Sequence, residues 1–238
     1  MKLDMLVFAA HPDDAELACS GTIISHINQG KKVGIVDFTR GELGTRGNPK
    51  IRMQEAQKAA EILGLSVRIN LGFEDIYFKN DKEHQLEVVK MIRKFQPDVV
   101  LANAVEDRHP DHPKASQLTV QACFMAGLKK IETRLDGEDQ SAWRPGSVYH
   151  YIQSNFISPD IIVDVSDYWE QRMASVKAFK SQFFDPDSKE SETYISSAQF
   201  LQLLEARATD FGKSIGVKYG EGFTVDKNIG IKSLFHLL

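Results

Sequence analysis

Residues 3–10, Leu-Asp-Met-Leu-Val-Phe-Ala-Ala, form a nearly unbroken apolar run that stops at His11-Pro12-Asp13-Asp14. A strand with one face in water alternates apolar and polar residues. A run without alternation belongs to a strand covered on both faces, as in a parallel sheet packed between helices. Residues 32–39, 67–71 and 98–104 read as further strands, and residues 14–28, 49–63, 81–95 and 110–125 as the helices between them. Gly30, Gly64 and Pro97 close three of these helices, and Asn48-Pro49 opens one. Such alternation predicts an α/β fold: a Rossmann-like, doubly wound, mostly parallel sheet with helices on both faces.

The pattern loosens after Gly127. Residues 129–145 read as a polar surface excursion, 147–153 and 160–165 as two more strands, and 166–182 as a helix capped by Ser166. Residues 181–193 form a polar loop, and 196–211 a helix that Gly212 ends. The tail from 217 to 238 is punctuated by glycine and closes on the apolar strip Leu234-Phe235-His236-Leu237-Leu238. With no internal repeat or low-complexity stretch, residues 1–238 are expected to form one domain.

A chain of 238 residues, 42% of them hydrophobic, can bury a core without disulfides. Its net charge of -4 gives no electrostatic footprint for nucleic acid or an anionic membrane. Cys19 and Cys123, both in expected helices, read as buried free thiols. The first apolar run is too short for a signal peptide, so the expected compartment is the cytoplasm.

The chemistry is concentrated in two tetrapeptides. His11-Pro12-Asp13-Asp14 ends the first strand, and His109-Pro110-Asp111-His112 follows the fourth after a short acidic turn. In an open parallel sheet the carboxyl ends of the strands face one crevice, so the two can meet. One His-Pro-Asp is weak, because aspartate after proline is a common helix cap; two at strand ends are hard to explain as caps. His11 and Asp14, three apart across a tight turn, can reach one point, and His112 can complete a His2Asp set with a position open for water, as a catalytic zinc needs. Affinity order alone does not separate zinc from iron for such a set. Asp13 is then placed to act as general base. His109 is a proton donor to a leaving amine or a cationic partner for an oxyanion, and Asp111 a residue that orients one of the histidines.

The ordered combination of Ala10-His11-Pro12-Asp13-Asp14-Ala15-Glu16, Thr39-Arg40-Gly41-Glu42-Leu43-Gly44-Thr45-Arg46-Gly47, Arg52 with Glu55, and His109-Pro110-Asp111-His112 resembles the LmbE-like (PIG-L) zinc-dependent N-acetylglucosaminyl deacetylases. The resemblance covers essentially the whole chain and is greatest to the bacillithiol-biosynthesis members, which act on N-acetylglucosaminyl-malate. It implies one zinc per subunit on His11, Asp14 and His112, Asp13 as general base, and His109 stabilising the tetrahedral intermediate. It also implies substrate contacts from Arg52, with Glu42 and Arg46 beside it, and a tyrosine, Tyr194, that approaches the metal. Relatives form hexamers, so a homo-oligomer acting on a small amino-sugar conjugate is expected.

Two other readings compete. A mycothiol-conjugate amidase, or a deacetylase for another acetylated sugar, shares the chemistry and differs in the aglycone pocket. A nucleotide-binding module is disfavoured, because neither GxGxxG nor GxxxxGK[ST] occurs.

Overall fold

The computed structural model describes residues 1–183, 189–233 and 235. Strand β1 (Met5–Ala9) is buried along its whole length. It lies between β2 (Val33–Thr39) and β4 (Val99–Ala102), pairing Met5 with Val33 on one side and with Val99 on the other, both parallel. β3 (Val67–Phe73) extends the sheet beyond β2.

Helices α1 (Asp14–Asn28) and α2 (Pro49–Leu63) connect the strands on the β1–β3 side, followed by α3 (Lys82–Phe95) and α4 (Asp111–Ala126). Alternate residues of the central strands serve opposite layers, the period of two that a strand imposes. Leu6, Phe8, Val36 and Phe38 pack with Val88 and Ile92 of α3 and Leu118 of α4. Met5, Val7, Val33 and Ile35 pack with Ile23 and Ile24 of α1. Both faces are therefore covered, as the unbroken apolar runs require. Asn48 and Asp81 cap α2 and α3 through the Ile51 and His84 amides.

The second half departs from expectation in three places. The 129–145 excursion holds a two-residue-per-strand hairpin, β5 (Arg134–Leu135) with β6 (Glu138–Asp139), before β7 (Ser147–Tyr151) and β8 (Ile161–Asp164). First, the helix expected over 166–182 is a 3₁₀ turn at Ser166–Tyr168 and then a shorter α5 (Trp169–Lys177). Ser166 caps nothing, because its hydroxyl and amide both donate to Asp164. Second, α6 runs over Phe200–Ser214 rather than 196–211. The Ser196 hydroxyl is drawn into a turn with Thr193, and Gly212 lies inside the helix. A Cβ on Gly212 would sit 2.8 Å from the Lys218 and Tyr219 backbone, so the glycine permits close approach rather than stopping the helix.

Third, the tail contains a strand, β9 (Gly220–Thr224), inserted antiparallel between β7 and β8 to give the order β3-β2-β1-β4-β7-β9-β8. Gly-Glu-Gly lies in the glycine-punctuated tail, and here it is ladder. A Cβ on Gly220 would meet Ile162 at 2.6 Å. Glu221 between the glycines reaches α1, whose backbone breaks at Cys19 (φ −142°, ψ 16°). The glutamate accepts the Gly21 and Thr22 amides at 3.0 and 2.7 Å and the Arg172 Nε at 3.1 Å, so a tail residue caps the second half of the first helix. Of the apolar terminal strip, only Phe235 is among the described residues, and it is exposed. Cys19 and Cys123 are buried and free. No helix among the described residues is long and apolar enough to cross a membrane.

Glu221→Ala leaves Arg172 buried without its partner and frees two helix amides. Its expected cost is about 3–5 kcal/mol, the range for breaking a buried ion pair, measured as a lowered urea midpoint. An unchanged midpoint would show that the cap contributes nothing.

Candidate metal and catalytic site

The strand order reverses between β1 and β4, the point at which α/β sheets open a crevice. Both tetrapeptides emerge there. The Ala10 amide donates to Asn103 Oδ1 at 3.0 Å, joining the two strand ends just before the clusters begin. Asp13 adopts φ 125°, a conformation rare for a residue with a side chain and a mark of local strain at a functional turn.

Asp14 opens α1, where the helix end favours its charge. It lies between two imidazoles. One oxygen is 3.1 Å from His112 Nε2 and the other 3.6 Å from His11 Nδ1. Donors on a tetrahedral zinc with bonds of about 2.0–2.1 Å stand about 3.3 Å apart; each imidazole–carboxylate spacing is near that value, and the two contacts use different oxygens of Asp14. The carboxylate is also held from behind. Asn103 Nδ2 donates to Oδ2 at 3.0 Å and Gln153 Nε2 to Oδ1 at 3.1 Å.

The far nitrogens of the two histidines meet carboxylates. His11 Nε2 lies 3.0 Å from Asp75 and 3.3 Å from Asp111, and His112 Nδ1 bonds Asp107. A carboxylate behind a ligating histidine fixes its tautomer and turns the other nitrogen toward the metal. Among the described residues, the triples whose donor atoms all lie within 4.8 Å of one another are two others, His11 with His109 and His112, and His11 with Asp75 and Asp111; His11, Asp14 and His112 are not such a set. The second is less suited to an ion. Asp75 already accepts the Leu43 amide, and Asp111 accepts the Ile76 amide and Lys114 Nζ.

The electrostatics fit a cation. Burial works against charge on Asp14, yet His112 and His11 hold its carboxyl well below the usual range. Burial works against charge on His11, which Asp111, Asp14 and Asp75 overcome to raise it. Against the same penalty, Asp14 and Asp107 raise His112 to about 9. The carboxylate-rich cluster thus draws positive charge to the point where a divalent ion would sit. Burial pushes Asp13 up to about 7, opposed by Arg52. Burial, together with His11 and His112, takes His109 down to about 4. Such a shift favours the neutral form of His109 at neutral pH. Its Nδ1 accepts the Asp111 amide, leaving Nε2 to carry the proton.

Of the flanking residues, Arg52 and Tyr194 line the cavity and Glu42 and Arg46 do not. Arg52 lines the cavity; its terminal nitrogens donate to Asp13 Oδ2 (3.0 Å), the Pro12 carbonyl (2.7 Å) and Gln182 (2.8 Å), which holds it against Asp13, while its buried Nε has no hydrogen-bond partner among the described residues. Glu42 accepts the Asp75 and Arg40 amides and lies outside the cavity wall. Arg46 donates to the Ser181 carbonyl, pairs with Glu190 and also lies outside the wall. Both hold the 39–47 loop in place. Tyr194 does line the cavity, of about 260 Å³, its ring 4.4 Å from the Arg108 guanidinium. The structure adds Asp75, Asp107, Asn103, Gln153, Gln182, Arg108 and Arg207, which the sequence motifs do not single out. Only Asn103, a polar residue closing an apolar run, and Asp107, in the acidic turn, carry a local signal.

Removing a ligand and loosening one are expected to differ. His112→Ala should lose the metal, and full occupancy would refute its role. Asn103→Ala should keep the ion but bind it about 10–100-fold more weakly, as for other changes behind a ligand. Competition with a chromogenic chelator measures both.

The chain is similar to several known proteins. A family model described as PIG-L: GlcNAc-PI de-N-acetylase matches residues 6–123, a span that contains both tetrapeptides. The crystal structure of a conserved protein from Thermus thermophilus is 35% identical, with a TM-score of 0.86 and 98% of each chain covered. A diacetylchitobiose deacetylase from Thermococcus kodakarensis is 29% identical over 92% of this chain and 81% of its own. A 4-oxalmesaconate hydratase from Pseudomonas putida is 29% identical over 74% of this chain and 73% of its own. With two His-Asp clusters converging on one cavity and a relative matched end to end, the chain belongs to the PIG-L (LmbE-like) family.

Proposed function

We propose that this protein is a metal-dependent deacetylase that removes the N-acetyl group from an N-acetylglucosamine conjugate. The observation that carries the reading is Asp14 between His11 and His112 at the floor of a cavity into which Asp13 and His109 also open. A divalent ion held by His11, Asp14 and His112 would act as a Lewis acid toward the amide carbonyl and acidify a water beside it.

The chain's own groups divide the remaining work. Arg52 occupies Asp13 Oδ2, so Asp13 Oδ1 is the oxygen that takes the proton of the attacking water. His109 Nε2–H donates to the oxyanion as the carbonyl carbon becomes tetrahedral. Breaking the C–N bond then needs a proton on the amine, supplied from Asp13 Oδ1, which holds the one taken from water. Gln182 and the Pro12 carbonyl hold the Arg52 guanidinium so that Asp13 keeps one oxygen turned to the cavity.

For the aglycone we read malate, as in bacillithiol biosynthesis. A probable N-acetyl-alpha-D-glucosaminyl L-malate deacetylase of Bacillus anthracis, 24% identical over 75% of this chain, supports it. Two free buried thiols accord with a reducing cytoplasm as the working compartment.

Acetate release from N-acetylglucosaminyl-malate and from N,N'-diacetylchitobiose, with and without chelator, tests the reading. Release that chelator abolishes and zinc restores is expected. No release from either, with hydration of 4-oxalmesaconate instead, would overturn it. Asp13→Asn should keep its metal and lose about 10²–10⁴-fold in kcat, the share of a general base. Turnover near that of the unaltered protein in this variant would remove Asp13 from the proton-transfer step.

A further inference from the structure

Glu55 stands three residues after Arg52 on α2, so the two share a face of the helix. Its carboxylate is taken up by Ser181, just beyond α5. Oε1 accepts the Ser181 amide and Oε2 the Ser181 hydroxyl, each at 2.7 Å. A carboxylate only accepts, so the single hydroxyl proton of Ser181 is committed to Glu55 and the lone pairs of Oγ are left for Gln182. Gln182 Nε2 donates to that Oγ at 2.8 Å and to the Arg46 carbonyl at 2.9 Å. Its Oε1 is thereby turned to Arg52 Nη1, which donates at 2.8 Å, and Arg52 Nη2 donates to Asp13 Oδ2 at 3.0 Å. Glu55 at one end offers only acceptors and Arg52 near the other only donors, so every hydrogen bond between them runs in one direction. The fit is close: a Cβ on Gly47 (φ 70°) would stand 2.7 Å from Ser181 Oγ.

We infer that Glu55 and Ser181 are positioning residues for the general base: they fix the Gln182 amide, which sets the Arg52 guanidinium and so the oxygen of Asp13 that faces the cavity. This rests on the deacetylase reading above. Neither Glu55 nor Ser181 lines the cavity, so both act at a distance from substrate. Arg52 has few other supports. Its Nε is without a partner among the described residues, and Gln182 is the hydrogen-bond partner of Nη1. An amide at position 55 can accept only one of the two Ser181 donors and turns a donor of its own toward the other, which disturbs the hydroxyl that Gln182 Nε2 needs as acceptor. The apolar support of this segment is separate. Phe179 and Phe183, on either side of Ser181 and Gln182, pack with Ala56 and Ala59 of α2, so exchanging the carboxylate leaves the segment docked.

The test is a double-mutant cycle read in kcat, with N-acetylglucosaminyl-malate or N,N'-diacetylchitobiose, whichever is turned over, and with each variant normalised to its bound zinc. Glu55→Gln, equal in size to the original, and Ser181→Ala should each lower kcat about three- to tenfold, and Gln182→Ala about ten- to thirtyfold, with KM and zinc affinity unchanged. Adding Glu55→Gln to Gln182→Ala should cost nothing further, because both act through one guanidinium. A Glu55 that only supports the fold would lower the urea midpoint and leave kcat per zinc unchanged. That result, losses that add in the double variant, or a KM that rises at constant kcat would each overturn the inference. If the unaltered protein releases no acetate, the deacetylase reading fails, and the hydrogen-bond chain is followed without activity through the NMR signals of the Arg52 guanidinium, assigned with Arg52→Lys. Resolved, slowly exchanging Nη–H signals that collapse in Glu55→Gln and in Gln182→Ala support the positioning of Arg52 by Glu55; signals untouched by Glu55→Gln refute it.

Discussion

The parallel pairing of β1 with β4 is the constraint on which the rest of this molecule depends. Met5 against Val99 and Val7 against Leu101 fix the register, and at the ends of these strands the Ala10 amide meets Asn103. From there each strand releases one histidine-and-aspartate segment into the same crevice. A shift of register by one residue would exchange the side chains that β1 presents to its two helical layers and separate Asp14 from His112. The catalytic geometry is therefore set by the same contacts that bury the core.

Within the crevice, charge is balanced by layers. Asp14 faces the two imidazoles, Asp75, Asp111 and Asp107 stand behind them, and Asn103 and Gln153 hold Asp14 from the rear. Buried carboxylates on this scale are tolerated only when each is paired or hydrogen-bonded. The arrangement favours a cation at its centre and leaves Asp13, bound through one oxygen to Arg52, as the carboxylate with an oxygen turned to the cavity.

How much of this is legible in the sequence varies with the range of the interaction. Strand–helix alternation, the Asn48-Pro49 start and the two tetrapeptides depend on neighbours within a few residues, and the elements of the first half fall where the pattern puts them. Arg52, Glu42 and Arg46 do stand near the chemistry, but their partners, Asp13, the Asp75 amide and the Ser181 carbonyl, lie between 33 and 135 residues away. No local pattern tells an arginine that meets a ligand from one that holds a catalytic carboxylate. Gly212 misleads for the same reason. Glycine signals a turn and a close backbone approach alike, and only the packed neighbour distinguishes them.

The sequence by itself determined the covered parallel sheet and the identity of the groups at its two central strand ends, because apolar periodicity and short-range caps act along the chain. Only the tertiary structure decided which nitrogen of each histidine faces Asp14, that His109 Nδ1 accepts the Asp111 amide, and that Arg52 is bound to Asp13 while Arg108 and Arg207 lie elsewhere on the cavity wall. Those outcomes depend on burial and on hydrogen-bond partners brought together from distant segments, and a one-dimensional pattern carries neither.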